Sequence, residues 1–344
     1  MLQVRTLLSA LAIAVPLAAL VLLVTKASGT GLRTDKGITG KSVVTKTAIK
    51  RISNPNGPCL SIHNARNRVI KDLILGPCGG HGIEILDSRN ITIQRVIIEN
   101  TKDSGIYVQD SSDIEVTESQ VTNTISGIYA VSSKGIRVSC NTIVNPRGPI
   151  PRGQLVQFNK VRGGTNYIRC NAGRNEPGHG HEPEDAISLY KSRGTAEQPI
   201  MVENNLIVGG GPSPSGGGIM LGDDGGEHQT ASNNVLIDPG QYGIAVSSGR
   251  NMAIVNNRVF GRRQSFTNVG IYTWNQYPHR CGGIRVEGNQ VTWTSNNGKP
   301  NPFWDGENCG TIRGEANNNF SARLSAEMET KATHTCSCAA NGRR

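Results

Sequence analysis

Residues 179–194 read "HGHEPEDAISLYKSRG". His179, His181, Glu182, Glu184, Asp185, Tyr190, Lys191 and Arg193 crowd round one apolar run, "AISL". Such a set can move protons. A lysine with a lowered pKa takes a proton, a neighbouring tyrosine takes or returns one, and a guanidinium neutralises an acidic group beside the reacting carbon. Further on, "GDDGGEHQ" adds Asp223, Asp224 and His228, and "TWNQYPHR" adds Trp274, Gln276, His279 and Arg280. Asp223 and Asp224 are the residues to hold a Ca2+, an ion that takes carboxylate oxygens. Whether these side chains meet depends on the elements that carry them.

"AISL" at 186 is one rung of a series: "GIEI" at 82, "GIYV" at 105, "GIYA" at 127, "QLVQF" at 154, "GIML" at 218, "GIAV" at 243 and "GIYT" at 270, with "CLSI" at 59 before them. A second series follows, including "NITI" at 90, "DIEV" at 113, "GIRV" at 135, "PIMV" at 199 and "NMAI" at 251. A third pairs Asn with short aliphatics: "NTIV" at 141, "NNLIV" at 204, "NNVLI" at 233 and "NNRVF" at 256. Each stretch alternates apolar and polar residues, as a strand with one buried face does, and each is too short for a helix with a buried stripe. Three strands per repeat, with Gly and Asn at the corners, describe an all-β solenoid of stacked coils. About nine coils at ~4.8 Å give a rod roughly 43 Å long. The Asn before the third strand predicts stacked amides, each bonding to the next coil.

Export signal, three-strand repeat and corner asparagines together resemble the right-handed parallel β-helix superfamily over residues 59–291. The expected organisation is an export signal or membrane anchor at 1–28, a cap at 29–58, the helix at 59–291 and a closing segment with a tail at 292–344. The first segment rests on Arg5 followed by "LLSALAIAVPLAALVLLV" and then small residues. Export permits disulfides. Of eight cysteines, Cys59 and Cys78, Cys140 and Cys170, and Cys281 and Cys309 are each separated by about one repeat, so the expected bridges join them.

The register sorts side chains by face. In the first series Ile83 and Ile85, or Ile219 and Leu221, point inward. The residues between and after them point outward: Tyr107, Tyr129, Gln157, Ser188 and Tyr272, then Gln109, Asn159, Tyr190 and Trp274. Four of the seven tyrosines fall on this face of an aromatic-poor chain. Aromatic faces beside amides suit sugar rings, so Tyr107, Tyr129, Gln157, Asn159, Tyr272, Trp274 and Gln276 are the candidate substrate-binding residues. The competing reading is cross-strand aromatic stacking with no ligand. The register puts Lys191 beside Asp223, either as chemistry or as a surface ion pair. It places Asp185 at the far end of its strand, ~20 Å from Asp223 at 3.3 Å per residue.

The resemblance implies an exported polysaccharide-active enzyme, most often a lyase that cleaves a uronate glycan by β-elimination. Glycoside hydrolases, uronate C5-epimerases and proteins that only bind glycan share the fold. No family catalytic signature is present to carry over; on this chain's own residues the lyase reading makes Lys191 the base, Tyr190 a second candidate base or acid, and Arg193 or Arg280 the neutralising cation. A net charge of +10 suits an anionic polysaccharide. No nucleic-acid partner is expected, and membrane contact is expected only through the N-terminal segment. "RGPIPR", from Arg147 to Arg152, spells a motif of some pectate lyases, but it sits in an insertion and is read as coincidence.

Overall fold

A computed structural model describes residues 49–176, 181–213, 215–332, 336 and 338. The expected export segment, most of the expected cap, His179 and the chain end lie outside the described residues. The chain divides into Met1–Thr47 and Ala48–Arg344, and the description concerns the second unit.

Three parallel sheets run its length. Sheet I carries the first series, from Leu60–His63 through Ile83–Leu86, Ile106–Gln109, Ile128–Val131, Val156–Asn159, Ile187–Tyr190, Ile219–Leu221, Tyr242–Val246 and Val269–Thr273 to Phe303–Asp305. Sheet II runs from Arg66–Lys71 to Arg285–Glu287, and sheet III from Lys50–Asn54 to Gln290–Trp293. Sheets I and III have ten strands and sheet II has nine, so the stack is slightly longer than nine coils. The first rung lies in residues read as a cap. The last rung of sheet I lies in residues read as a closing segment, because Phe303 and Trp304 continue the in–out alternation without a leading glycine.

One inward column shows the packing. Ile83, Ile106, Ile128, Val156, Ile187, Ile219, Ile244, Ile271 and Phe303 are register partners on successive rungs. From Ile83 to Ile271 all are buried. Branched aliphatics fit this pleated stack, and like residues fill the tube coil after coil. Corners are tight: a Cβ on Gly218 would lie 2.1 Å from the Gly243 carbonyl oxygen of the next coil.

The expected amide stack is present between sheets II and III. Asn141, Asn171, Asn205, Asn234, Asn257, Asn289 and Asn318 are chained by Nδ2–H···Oδ1 bonds of 2.8–3.0 Å. The same Oδ1 atoms accept backbone N–H groups of the preceding coil, as Asn234 Oδ1 does from Asn205 at 3.0 Å. The residue before each ladder Asn from Asn141 to Asn289 takes the left-handed conformation, which Asn tolerates: Asn204, Asn233 and Asn256 all have φ 56°.

Four disulfides form. Cys59–Cys78 and Cys281–Cys309 are as expected; Cys140–Cys170 is not. Cys140 and Cys170 occupy equivalent left-handed corners on adjacent coils, and each faces away from the core. Cys140 bonds Cys338 and Cys170 bonds Cys336, which fastens the chain end across two rungs. Among the described residues no helix is long and apolar enough to cross a membrane.

Candidate functional site

The outer face of sheet I carries a cleft of about 570 Å3. Its floor is a small apolar cluster of Met220, Tyr242, Ala245, Val269 and Tyr272. Aromatic rings build one wall: Tyr242 meets Tyr272 edge-on at 5.2 Å, Tyr272 lies 6.4 Å from Trp304, and Trp304 lies 5.7 Å from Trp274. Trp274 and Trp304 remain 41% and 44% exposed, unusual for tryptophan. Gln276 Nε2 donates to the Tyr272 hydroxyl at 3.0 Å, and Asn159 Nδ2 to the Tyr129 hydroxyl at 2.7 Å. Gln157 Oε1 and Asn159 Oδ1 are buried without a hydrogen-bond partner among the described residues. Orphaned acceptors at a cleft are groups a ligand hydroxyl can satisfy.

Three carboxylates line the same cleft: Glu184, Asp185 and Asp223. The placement of Asp223 corrects the sequence register. Gly222 is one extra residue, φ 65°, at the end of a strand shortened to Ile219–Leu221. The Lys160 N–H bonds to the Tyr190 carbonyl, and the Lys191 N–H to the Asp223 carbonyl. Asp223 therefore replaces Tyr190 in the outward column, and Asp224 replaces Lys191, with matching φ of 51° and 50°. A one-residue bulge of this kind re-aims a side chain. The Asp223 carboxylate turns back over the strand, accepting from Ser188 Oγ at 2.9 Å and from the Tyr277 hydroxyl at 3.0 Å.

Asp185 reaches the cleft from the opposite corner. Its Oδ1 accepts from Gly217 N–H at 3.1 Å and from the Tyr242 hydroxyl. Gly217 permits this contact, because a Cβ there would lie 2.5 Å from the Tyr242 ring. Burial pushes the Asp185 carboxyl well above the usual range, and neighbouring Glu184 and Asp223 push it further. The Asp223 carboxylate reaches Ser188, three residues or ~10 Å along the strand from Asp185, so the ~20 Å separation expected from an unbroken register is shortened. Burial also raises Asp223, against the two hydroxyls that hydrogen-bond it, and raises Glu184, against Ser215 and Ser213. The "GPSPSGG" insertion is thus a clamp on Glu184, at 2.9 Å and 3.0 Å.

The expected catalytic cations lie elsewhere. Lys191, Arg193, Arg280 and Asp224 line a second hollow of about 430 Å3 that does not include Asp223. Lys191 Nζ pairs with Asp224 at 2.7 Å, not with Asp223. Hydrogen bonding to Asp224 raises the Lys191 ammonium above its usual value, the reverse of what a base needs. Burial pushes Asp224 up, but Lys191, His279 and Tyr190 outweigh it and hold the carboxyl low. Asp223 and Asp224 thus turn to different partners. Among the described residues no group of three or more His, Cys, Asp or Glu gathers as a metal site would.

Tyr129, Gln157, Asn159, Tyr190, Tyr272, Trp274 and Gln276 do line the cleft. Tyr107 does not. It stacks between His81 at 4.5 Å and Tyr129 at 5.8 Å. Arg152, from the "RGPIPR" segment, lies over the Tyr129 ring at 4.4 Å and bonds Asp103 at 3.0 Å. Tyr242, Tyr277 and Trp304 escaped the sequence reading, and Glu184 and Asp185, though named in it, were not counted among the site residues. For Trp304 a signal existed, since it continues the Tyr272 column.

A family model described as a right handed beta helix region matches residues 24–143. A search of curated protein sequences finds no match. Among solved structures, the catalytic domain of a GH87 α-1,3-glucanase in complex with tetrasaccharides is 14% identical, with a TM-score of 0.46, over 76% of this chain and 59% of that one. A tailspike protein of E. coli bacteriophage HK620 in complex with hexasaccharide is 10% identical, with a TM-score of 0.45, over 73% and 46%. The chain spans about half to three-fifths of the length of these two. The matched repeat region and the three stacked parallel sheets make this chain a right-handed parallel β-helix protein.

Proposed function

We propose that the protein is a glycoside hydrolase acting on a polysaccharide laid in the cleft of sheet I. One observation carries the reading: a buried Asp185, whose carboxyl is pushed well above the usual range by burial, and a hydroxyl-bonded Asp223 share a cleft walled by exposed tryptophans. Burial raises both carboxyls, Asp185 the further, while two hydroxyls hold Asp223 back, which suits Asp185 to the acid and Asp223 to the base. Asp185 gives its proton to the glycosidic oxygen as the C1–O bond breaks. Asp223 takes a proton from the water whose oxygen bonds to C1, and the products are a new reducing end and a free hydroxyl. Tyr242 holds the Asp185 carboxyl in place. The lyase expectation has less support, because Lys191 is tied to Asp224 and the cleft offers carboxylates. Four disulfides suit an oxidising compartment outside the cytoplasm.

The test is incubation with a panel of neutral and acidic polysaccharides, read for new reducing ends and for unsaturated ends. Reducing ends without unsaturation support hydrolysis; unsaturated ends return the lyase, and retained binding with neither product leaves a glycan-binding protein. On a substrate that is cleaved, kcat/KM is expected to follow a bell in pH. It rises as Asp223 ionises, above the usual Asp value because burial raises it, and falls as Asp185 loses its proton. The two limbs belong to the coupled pair rather than to either residue alone. Trp304→Ala is expected to raise KM roughly tenfold with kcat nearly unchanged, the loss of a stacking face that binds substrate and transition state alike. An unchanged KM would remove Trp304 from the binding surface.

A further inference from the structure

A column of cations runs along the corner where sheet I turns into sheet II. Ladder partners place Arg66, Arg89, Ser112 and Lys134 on successive rungs. The Arg162 N–H bonds to the Ser133 carbonyl, as Lys134 does to Ser111 one coil earlier, so Arg162 is the next rung. Arg193, Glu227 and Arg250 complete the series. Six of these eight positions are basic, over about 34 Å at ~4.8 Å per rung. Like charges on neighbouring strands repel. Arg250 is neutralised by Glu227, and Arg89 by Asp113 at 3.2 Å. Lys134, Arg162 and Arg193, on three consecutive rungs, are exposed and have no ion pair among the described residues. Lys160, two residues before Arg162, is exposed and unpaired in the same sense.

The column opens into the second hollow, lined by Arg162, Arg193 and Arg280 together with two carboxylates that are already ion-paired, Asp224 with Lys191 and Glu227 with Arg250. This hollow adjoins the cleft through two pairs of consecutive residues. Tyr190 and Asp223 line the cleft, and Lys191 and Asp224, one residue on, line the hollow. Both features run with the rod axis, so a chain lying in the cleft has one edge over the cations.

We infer that the Arg162–Arg193–Arg280 hollow and the column leading to it bind the anionic substituents of a linear acidic polysaccharide whose backbone occupies the cleft. The unpaired cations on adjacent rungs are a repeating charge that a repeating polyanion matches. Guanidinium forks take carboxylate or sulfate in two-point contacts, and either group serves here. A polysaccharide is favoured over a nucleic acid because the column borders an amide- and tryptophan-lined cleft shaped for rings with polar edges. The position of the backbone rests on the hydrolase reading; the anion site itself does not.

The test is equilibrium binding of the full chain, disulfides intact, to polygalacturonate, to dextran sulfate and to unsubstituted dextran at several salt concentrations. The expected result is tight, salt-sensitive binding to one or both charged polymers and much weaker binding to neutral dextran. Which polymer binds separates carboxylate from sulfate. The double variant Arg162→Ala/Arg193→Ala is expected to lose about tenfold in affinity, the order of two exposed ion pairs. Arg258→Ala/Arg323→Ala, which removes equal charge beside sheet III, is expected to lose little. Equal loss in both double variants, neutral dextran bound as tightly as the charged polymers, or duplex DNA bound as tightly as the preferred glycan would overturn the proposal. Charged polymers bound but never cleaved would uphold the anion site and remove the hydrolase. Cleavage of neutral glucan with no affinity for charged polymers would do the reverse.

Discussion

Replacing Asp185 with asparagine is expected to lower kcat roughly a hundred- to ten-thousand-fold, the range of a lost general acid, while raising thermal stability at neutral pH. The side chain is buried, and its Oδ1 takes Gly217 N–H and the Tyr242 hydroxyl. Asparagine keeps that oxygen and loses the transferable proton. Because burial raises the folded pKa of Asp185 well above its unfolded value, the stability it contributes is full below the unfolded pKa and is lost as pH rises through the folded one. Asparagine does not titrate. Melting temperatures of variant and parent should therefore converge in acid and separate toward neutral pH, with the variant higher. Stability gained where activity is lost is the mark of a strained catalytic group. An Asp185→Asn protein that keeps more than a tenth of its activity would take Asp185 out of the reaction. One that melts lower at every pH would show that the carboxyl is held ionised by partners.

The largest expected stability loss away from the site is at Asn234. Its Oδ1 accepts from Asn205 N–H and Asn205 Nδ2, both at 3.0 Å, and its Nδ2 donates to the Val202 carbonyl at 2.8 Å and to Asn257 Oδ1 at 3.0 Å. The residue is wholly buried. Asn234→Ala strands several of these groups where water cannot replace the lost partner. At about 1–3 kcal/mol for each unsatisfied buried group, a total of about 3–5 kcal/mol is expected, since some neighbours relax. Denaturant unfolding, read as a fall in midpoint at constant slope, measures it. A loss under about 1 kcal/mol would mean that the amide column follows the coil geometry without supporting it.

The fold was legible because a solenoid writes its period into the chain. Each coil repeats the same inward aliphatics and the same corner residues, and errors in one coil do not propagate. Even the amide ladder could be expected, from the Asn that recurs before the third strand. The cleft was legible only where it obeyed the alternation, as Tyr129, Gln157, Asn159, Tyr190, Tyr272 and Trp274 do. Its carboxylates come from breaks in the period. Gly222 shifts Asp223 by one position, which no residue type announces. Asp185 leaves its chain at a corner, where alternation no longer says in or out, and it is held by Tyr242 two coils away. Trp304 sat on a rung with no glycine to mark it. The Cys140 and Cys170 pairing failed for a related reason. Two cysteines in register at a corner can each bond a cysteine from elsewhere in the chain, as Cys338 and Cys336 do here.

Those two long-range bridges set a limit on how this protein can vary. Solenoids commonly gain or lose whole repeats, because each unit contacts only its neighbours. Here Cys336 is bonded to Cys170 and Cys338 to Cys140, across sequence separations of 166 and 198 residues. The end of the chain must return along the rod to reach two chosen rungs. A coil duplicated between Cys170 and Cys336 would lengthen the outward path by one rung and leave the return path short. The bridges act as a ruler: the number of coils beyond Cys170 is fixed covalently, whereas coils can be added ahead of Cys140 without disturbing it. Changes in rod length among proteins sharing this clasp should therefore accumulate on the N-terminal side, away from the cleft.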